Sequence, residues 1–136
     1  MLDKVEIQER ISLYHEGASK FDFEQLAAAF LPDGIWEVPD MGIFSQGRDN
    51  IRSTMSALMT PIEYLVQINA PAVIVVDGDA ASARSLIRES AKFRDRPGLM
   101  DVVGQYIDEL ERTPDGWKFA HRTFTIIGTH MSAEIS

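Results

Sequence analysis

The run from Gly104 to Arg122 constrains the fold more than any other part of the chain. Gly104-Gln-Tyr106-Ile-Asp108-Glu-Leu110 alternates with a period of two, which sets Gly104, Tyr106, Asp108 and Leu110 on one face of a strand. Thr113-Pro114-Asp115-Gly116 then supplies turn chemistry, since proline presets φ and Asp-Gly admits a positive one. Trp117 to Thr123 resumes the alternation and returns antiparallel, and if that strand is regular His121 shares the face of Trp117 and Phe119. The hairpin gathers a tyrosine, a carboxylate, a tryptophan and a histidine on one sheet. The rest of the chain reads as its cover.

Before the hairpin the periodicity changes. Val5, Ile7, Ile11, Leu13 and Tyr14 follow a helical stripe over Asp3 to about Ser19, with Asp3 placed to cap it. A shorter helix is predicted from Asp22 to Phe30, stopped by Leu31-Pro-Asp-Gly34, and a short strand over Ile35 to Val38. Residues 40–47 read as a loop or ragged strand. Asp49 offers an N-cap for a third helix from Asn50 to about Met59. Everything later reads as strand: Glu63 to Val76, broken at Asn69-Ala-Pro71, then Ala80 to about Phe93, then the hairpin. Residues 131–136 read as a tail. Helices first and a meander afterwards give an α+β fold, with the helices covering one face of a curved antiparallel sheet.

At 136 residues the chain makes one domain, spanning 1–136, with a real core. Its net charge of −8, without a basic stripe, argues against nucleic acid and anionic membrane surfaces as partners. The absence of cysteine removes disulfides, thiolate metal sites and a cysteine nucleophile. The N-terminus is charged from its third residue, with no apolar signal core, and no apolar run approaches the ~20 residues of a membrane span, so a cytoplasmic protein is expected. No His/Asp/Glu group has metal-ligand spacing and no glycine-rich loop joins a strand to a helix, so neither metal nor cofactor is expected. Val73, Val75, Val103 and Ile107 would leave an apolar outer sheet face, which predicts a homodimer.

Asp22-Phe-Glu-Gln-Leu-Ala-Ala-Ala-Phe30, Asp33-Gly-Ile-Trp36-Glu-Val-Pro39, Gly47-Arg-Asp-Asn-Ile51-Arg52, Asp77-Gly-Asp-Ala80, Gly104-Gln-Tyr106-Ile-Asp108 and Gly116-Trp117-Lys-Phe-Ala-His-Arg122 stand in an order that resembles the SnoaL-like family of the nuclear transport factor 2-like superfamily. The resemblance implies a cone: a curved sheet wrapped on the first helix, with an apolar pocket at its wide end. It also implies a small hydrophobic ligand and, in the family's enzymes, cofactor-independent lyase, isomerase or cyclase chemistry on a cyclic substrate. Dehydratase-like members carry an aspartate near the end of the first helix and a histidine on the first long strand. Here those positions fall at Ser19 and Gln67, neither of which can act as a base near neutral pH. A non-catalytic binding or dimerisation module is therefore the alternative.

Several side chains could carry chemistry in such a pocket. Glu89 continues the face of Ala81, Ala83, Ser85 and Ile87 inward, as a desolvated base or as the ion-pair partner of Arg122 or another arginine. His121 is either a pocket acid/base or a histidine bonded within the sheet or at a dimer surface. Tyr106 could donate to an oxyanion, while Asp108 on the same face is a ligand contact or a solvated acid. Tyr14, Gln67 and Trp117 complete the ligand-binding set, with helix core the other role for Tyr14. His15 and His130 have no partner at any legible spacing.

Overall fold

The computed structural model describes residues 2–132; residues 1 and 133–136 lie outside it, and with them most of the expected tail. Helices α1 (Leu2–Ser19), α2 (Phe23–Ala28) and α3 (Arg48–Met59) accompany strands β1 (Phe30–Val38), β2 (Ile43–Gln46), β3 (Ile62–Asn69), β4 (Val73–Asp77), β5 (Ala80–Phe93), β6 (Leu99–Thr113) and β7 (Gly116–Met131). Met131, expected in the tail, is the last residue of β7. The α+β architecture has its helices on one face of a large curved sheet, and among the described residues no helix is long and apolar enough to cross a membrane.

Helix α1 buries Ile7, Ile11, Tyr14, His15 and Ala18, the stripe that spacings of three and four produce. Asp3, expected to cap it, lies inside its first turn. Its carboxylate accepts from Arg112 Nη1 and Nη2 at 2.7 and 2.9 Å and from the Trp117 indole at 3.2 Å, tying the helix to the β6–β7 hairpin. Hydrogen bonds from Arg112 first, and Trp117 next, pull the Asp3 pKa down to about 2. Two boundaries differ from expectation. Asp22 caps α2 by accepting from Gln25 N at 3.0 Å, but the helix stops at Ala28 because the Phe119 N–H claims the Ala29 carbonyl at 2.9 Å and draws Phe30 into the sheet. Helix α3 starts at Arg48, on Gly47 with a φ of 89°, and Asp49 lies inside its first turn, ion-paired with Arg52 at 2.8 Å.

The strands run in the order β2-β1-β7-β6-β5-β3, with β4 also on β5. All pairings are antiparallel except β1 with β7, a parallel contact that joins the β1–β2 pair to the rest of the sheet. Strand β5 is 14 residues long and needs two neighbours on one edge. Its second half pairs with β3 and its first with β4, and the break between them falls at Pro71, which has no amide hydrogen to give.

The β6–β7 ladder slips twice. Leu110 faces Phe119 while Glu109 faces His121, which leaves Ala120 as the extra residue of a bulge. Side-chain parity reverses there. Trp117 and Phe119 point inward, and after the bulge Arg122 is the buried residue while His121 is half-exposed. The regular strand that would have put His121 on the face of Trp117 does not exist. A second slip at Ile127 brings Phe124 against Gly104. A Cβ on Gly104 would meet the Phe124 ring and lie 2.6 Å from the Thr125 carbonyl oxygen. We expect Gly104→Ala to destabilise the fold by about 1–3 kcal/mol in chemical denaturation, as overpacking does in other cores.

Candidate functional site

The inner face of the sheet, α1 and α3 enclose a cavity of about 280 Å³. Its walls are apolar: Met55 and Met59 come from α3, Leu65 from β3, Ile87 and Phe93 from β5, and Phe124 from β7. Met41, Leu58 and Met100 add soft side chains that can adjust to a guest. The polar side chains that reach the lining are Tyr14, Trp36, Gln67, Glu89 and Tyr106. A larger groove of about 930 Å³ beside α2 and α3 is shallow and open, with Arg52 already held by Glu24 at 2.8 Å, so it encloses nothing.

Behind the cavity lies the most buried charge pair of the structure. Arg122 Nε donates to Asp108 Oδ1 at 2.8 Å, with both side chains fully inaccessible. The guanidinium sits 3.8 Å from the Tyr106 ring centroid, 4.2 Å from Tyr14 and 4.5 Å from Phe119, so π faces replace the lost water. From Arg122 a chain of contacts leads to the cavity. Arg122 Nη2 is 3.4 Å from His15 Nε2, His15 Nδ1 is 2.7 Å from Gln67 Oε1, and Gln67 Nε2 donates to Glu89 Oε2 at 2.6 Å. On the same lining the hydroxyls of Tyr14 and Tyr106 are 3.4 Å apart, and the buried Trp36 indole N–H lies beside Tyr106.

Burial tunes these groups. Desolvation raises the Glu89 pKa, against the Gln67 bond that lowers it. Asp108 is also raised by burial, with Arg122 opposing. The Tyr106 and Tyr14 hydroxyls are pushed up by burial and stay neutral donors. His15 moves the other way: burial and then the Arg122 charge bring it down to about 3, against the bond to Gln67.

The structure thus brings Tyr14, Gln67, Glu89 and Tyr106 to one cavity and leaves out the other expected site residues. Trp117 is buried beside Asp3 and Arg112, away from the lining. Asp108 is neither a ligand contact nor a solvated acid, because it is spent on Arg122, and Arg122 is therefore not the partner of Glu89. His121, turned by the bulge, pairs with Glu37 at 2.9 Å outside the cavity. His15, set aside as partnerless, has contacts through both ring nitrogens. Its signal was present in the sequence, four residues after Ile11 on the buried stripe of α1. Ser19 and Gln67 meet in space, where the Gln67 N–H donates to Ser19 Oγ at 3.1 Å. No group of three or more His, Asp or Glu side chains among the described residues has metal-site geometry.

A profile of the SnoaL-like domain matches residues 1–123. An uncharacterised protein of Mycobacterium tuberculosis is 27% identical over 124 residues, which cover 90% of this chain and 84% of that one. An NTF2-like protein with a cystatin-like fold from Novosphingobium aromaticivorans is 27% identical in structural alignment, with a TM-score of 0.77, covering 92% of this chain and 82% of the other. The hexachlorocyclohexane dehydrochlorinase LinA-type3 from Novosphingobium barchaimii LL02 superposes with a TM-score of 0.87 at 17% identity, covering 96% and 90%. At that identity the likeness is one of fold.

The pKa of His15 makes folding sensitive to acid. Its native value of about 3 lies below the ordinary 6.5, so the unfolded chain takes the proton first. The stability it contributes is complete above the ordinary value and is lost as pH falls toward the native one. Glu89 and Asp108, both raised, act in the opposite direction, but they are common to wild type and a His15 variant. We expect the stability advantage of wild type over His15→Asn to shrink by roughly 2 kcal/mol between pH 6.5 and 4.5 in urea titrations.

Proposed function

The chain belongs to the SnoaL-like family, and we propose that its cavity binds a small, largely apolar cyclic molecule and moves a proton on it. The observation that carries this reading is Glu89: one carboxylate on an otherwise uncharged lining, bonded through Oε2 to Gln67 and with no protein partner for Oε1 among the described residues. A carboxylate raised by desolvation is a usable base near neutral pH. It takes the place of the family's Asp/His pair, which Ser19 and Gln67 cannot supply. On the same lining Tyr106, Tyr14 and the buried Trp36 N–H form a corner rich in donors. The two phenols can satisfy each other only in part, so a carbonyl or hydroxyl oxygen of the ligand completes the corner.

Where that oxygen is a carbonyl, proton removal by Glu89 Oε1 from the carbon α to the carbonyl gives an enolate, whose negative charge lies on the oxygen, where the corner stabilises it. Return of the proton to another carbon is isomerisation, and loss of a leaving group is elimination. The dehydrochlorinase among the structural relatives is named for an elimination, which fits the second course. Neither course calls on a cofactor.

Ring ketones that bind in ligand-observed NMR should exchange the C–H α to the carbonyl for deuterium in D2O. Exchange should fall about 100-fold or more in Glu89→Gln and about 100-fold in Tyr106→Phe, and stay at wild type in His121→Asn. Binding without exchange in wild type would make the protein a carrier instead.

The outer sheet face favours self-association beside this role. Tyr64, Val66 and Ile68 of β3, Val73 and Val75 of β4, Leu86 of β5 and Val103 and Ile107 of β6 are all exposed. Val73, Arg84 and Ile107 form one row across the sheet, and Ile68, Arg88 and Val103 another, so apolar side chains flank two arginines on β5. Sedimentation should give a dimer mass that Ile107→Glu shifts to monomer. A monomer mass at every concentration would remove the reading.

A further inference from the structure

We propose that His15 is a positioning residue: held in one tautomer by Arg122, it fixes the orientation of the Gln67 amide and so confines the exchangeable proton of Glu89 to the oxygen that faces the cavity. The inference follows from what each group can give and accept. A guanidinium only donates. Arg122 Nη2 lies 3.4 Å from His15 Nε2, so that nitrogen has to accept, and the ring hydrogen is on Nδ1. Nδ1 is 2.7 Å from Gln67 and therefore meets the amide oxygen. The amide has no further freedom: its Nε2 faces Glu89 Oε2 at 2.6 Å and donates to it. Oε2 is then occupied as an acceptor whether Glu89 is charged or neutral. A proton on Glu89 sits on Oε1, because the carbonyl oxygen of a carboxylic acid accepts a hydrogen bond more strongly than its hydroxyl oxygen does.

The opposite arrangement can be drawn, and it fails at one place. With the hydrogen on His15 Nε2, Gln67 would turn its amide around and present its oxygen to Glu89, which could accept only from a carboxylic acid with its proton on Oε2. That state points an imidazole N–H at the Arg122 guanidinium, donor against donor, in a site with no accessible surface. Asp108 prevents Arg122 from moving away, because Arg122 Nε is bonded to Oδ1 at 2.8 Å. A charge that never enters the cavity therefore decides which oxygen of the cavity carboxylate is chemically available. The titratable and charged groups around Glu89 are Tyr106 from β6 and Tyr14 from α1, both kept neutral by burial, and beyond Gln67 the set of His15, Arg122 and Asp108.

The catalytic meaning of this device rests on Glu89 being the base, whereas its structural content does not, and the two are separated by measurements on ligand-free protein. In wild type at pH 7, ¹⁵N spectra of the His15 ring should show a protonated Nδ1 and an unprotonated, hydrogen-bonded Nε2. The reverse tautomer, or an imidazolium, would overturn the proposal. In ¹³C-detected titrations the Glu89 midpoint should rise by about one pH unit in Gln67→Leu and in His15→Leu, each of which removes or frees its donor. His15→Asn, which keeps an N–H near the Nδ1 position, should restore the midpoint toward wild type. A midpoint unmoved in Gln67→Leu would also overturn the proposal, and that variant together with the wild-type ring spectrum decides the matter even where His15→Leu does not fold. If these outcomes hold while Glu89→Gln still exchanges substrate protons at the wild-type rate, the device stands and the reading of Glu89 as base fails.

Discussion

Arg122 is a permanent cation with no accessible surface, and the rest of the site is arranged by the need to hold it there. Removing a charge from water costs more than a single counter-ion returns unless further contacts help. Asp108 supplies the counter-charge, and Tyr106, Tyr14 and Phe119 supply π faces within 4.5 Å of the guanidinium carbon. These rings come from β6, α1 and β7. The cation therefore fastens the first helix to the centre of the sheet, and the two tyrosines that line the cavity are placed by their packing on it.

The same pair keeps its charge away from the cavity. Arg122 does not touch Glu89; a neutral imidazole and a neutral amide stand between them. Had the guanidinium reached the carboxylate directly, Coulomb attraction would have lowered its pKa and made it a weak base. With neutral groups between, desolvation remains the largest influence on Glu89. The spacer separates a structural charge from a chemical one while linking them geometrically.

Much of the fold was legible in the sequence because it depends on periodicity. The apolar stripe of α1, the turn chemistry at Pro114-Asp115-Gly116 and the break at Pro71 each have a local cause, and the structure shows each in its expected place. The ends of α2 and α3 were less legible, since Ala29 is taken by an amide from β7 about 90 residues away and that competition leaves no local mark. Face counting found the cavity positions of Glu89 and Tyr106 on regular strands. The same counting misplaced His121, because no local rule marks an extra residue at Ala120. His15 could be placed on the buried side of α1, but its partner Gln67 lies 52 positions on, and which polar groups meet across that separation depends on the sheet's curvature and register.

The bulge at Ala120 also bears on how such a site can change over time. Deleting Ala120 would keep Leu110 opposite Phe119 and Glu109 opposite His121, so Arg122 would stay buried and His121 outside on an uninterrupted ladder. The site therefore tolerates the loss of this one residue. Flattening the bulge with Ala120 retained is the change that would exchange the two faces, because plain alternation from Phe119 would turn His121 inward and Arg122 outward. The buried centre would then hold a group whose charge follows the surrounding pH, in place of one whose charge is constant. With the present sequence, the local choice between a bulged and a regular strand decides which kind of charge the interior has to accommodate.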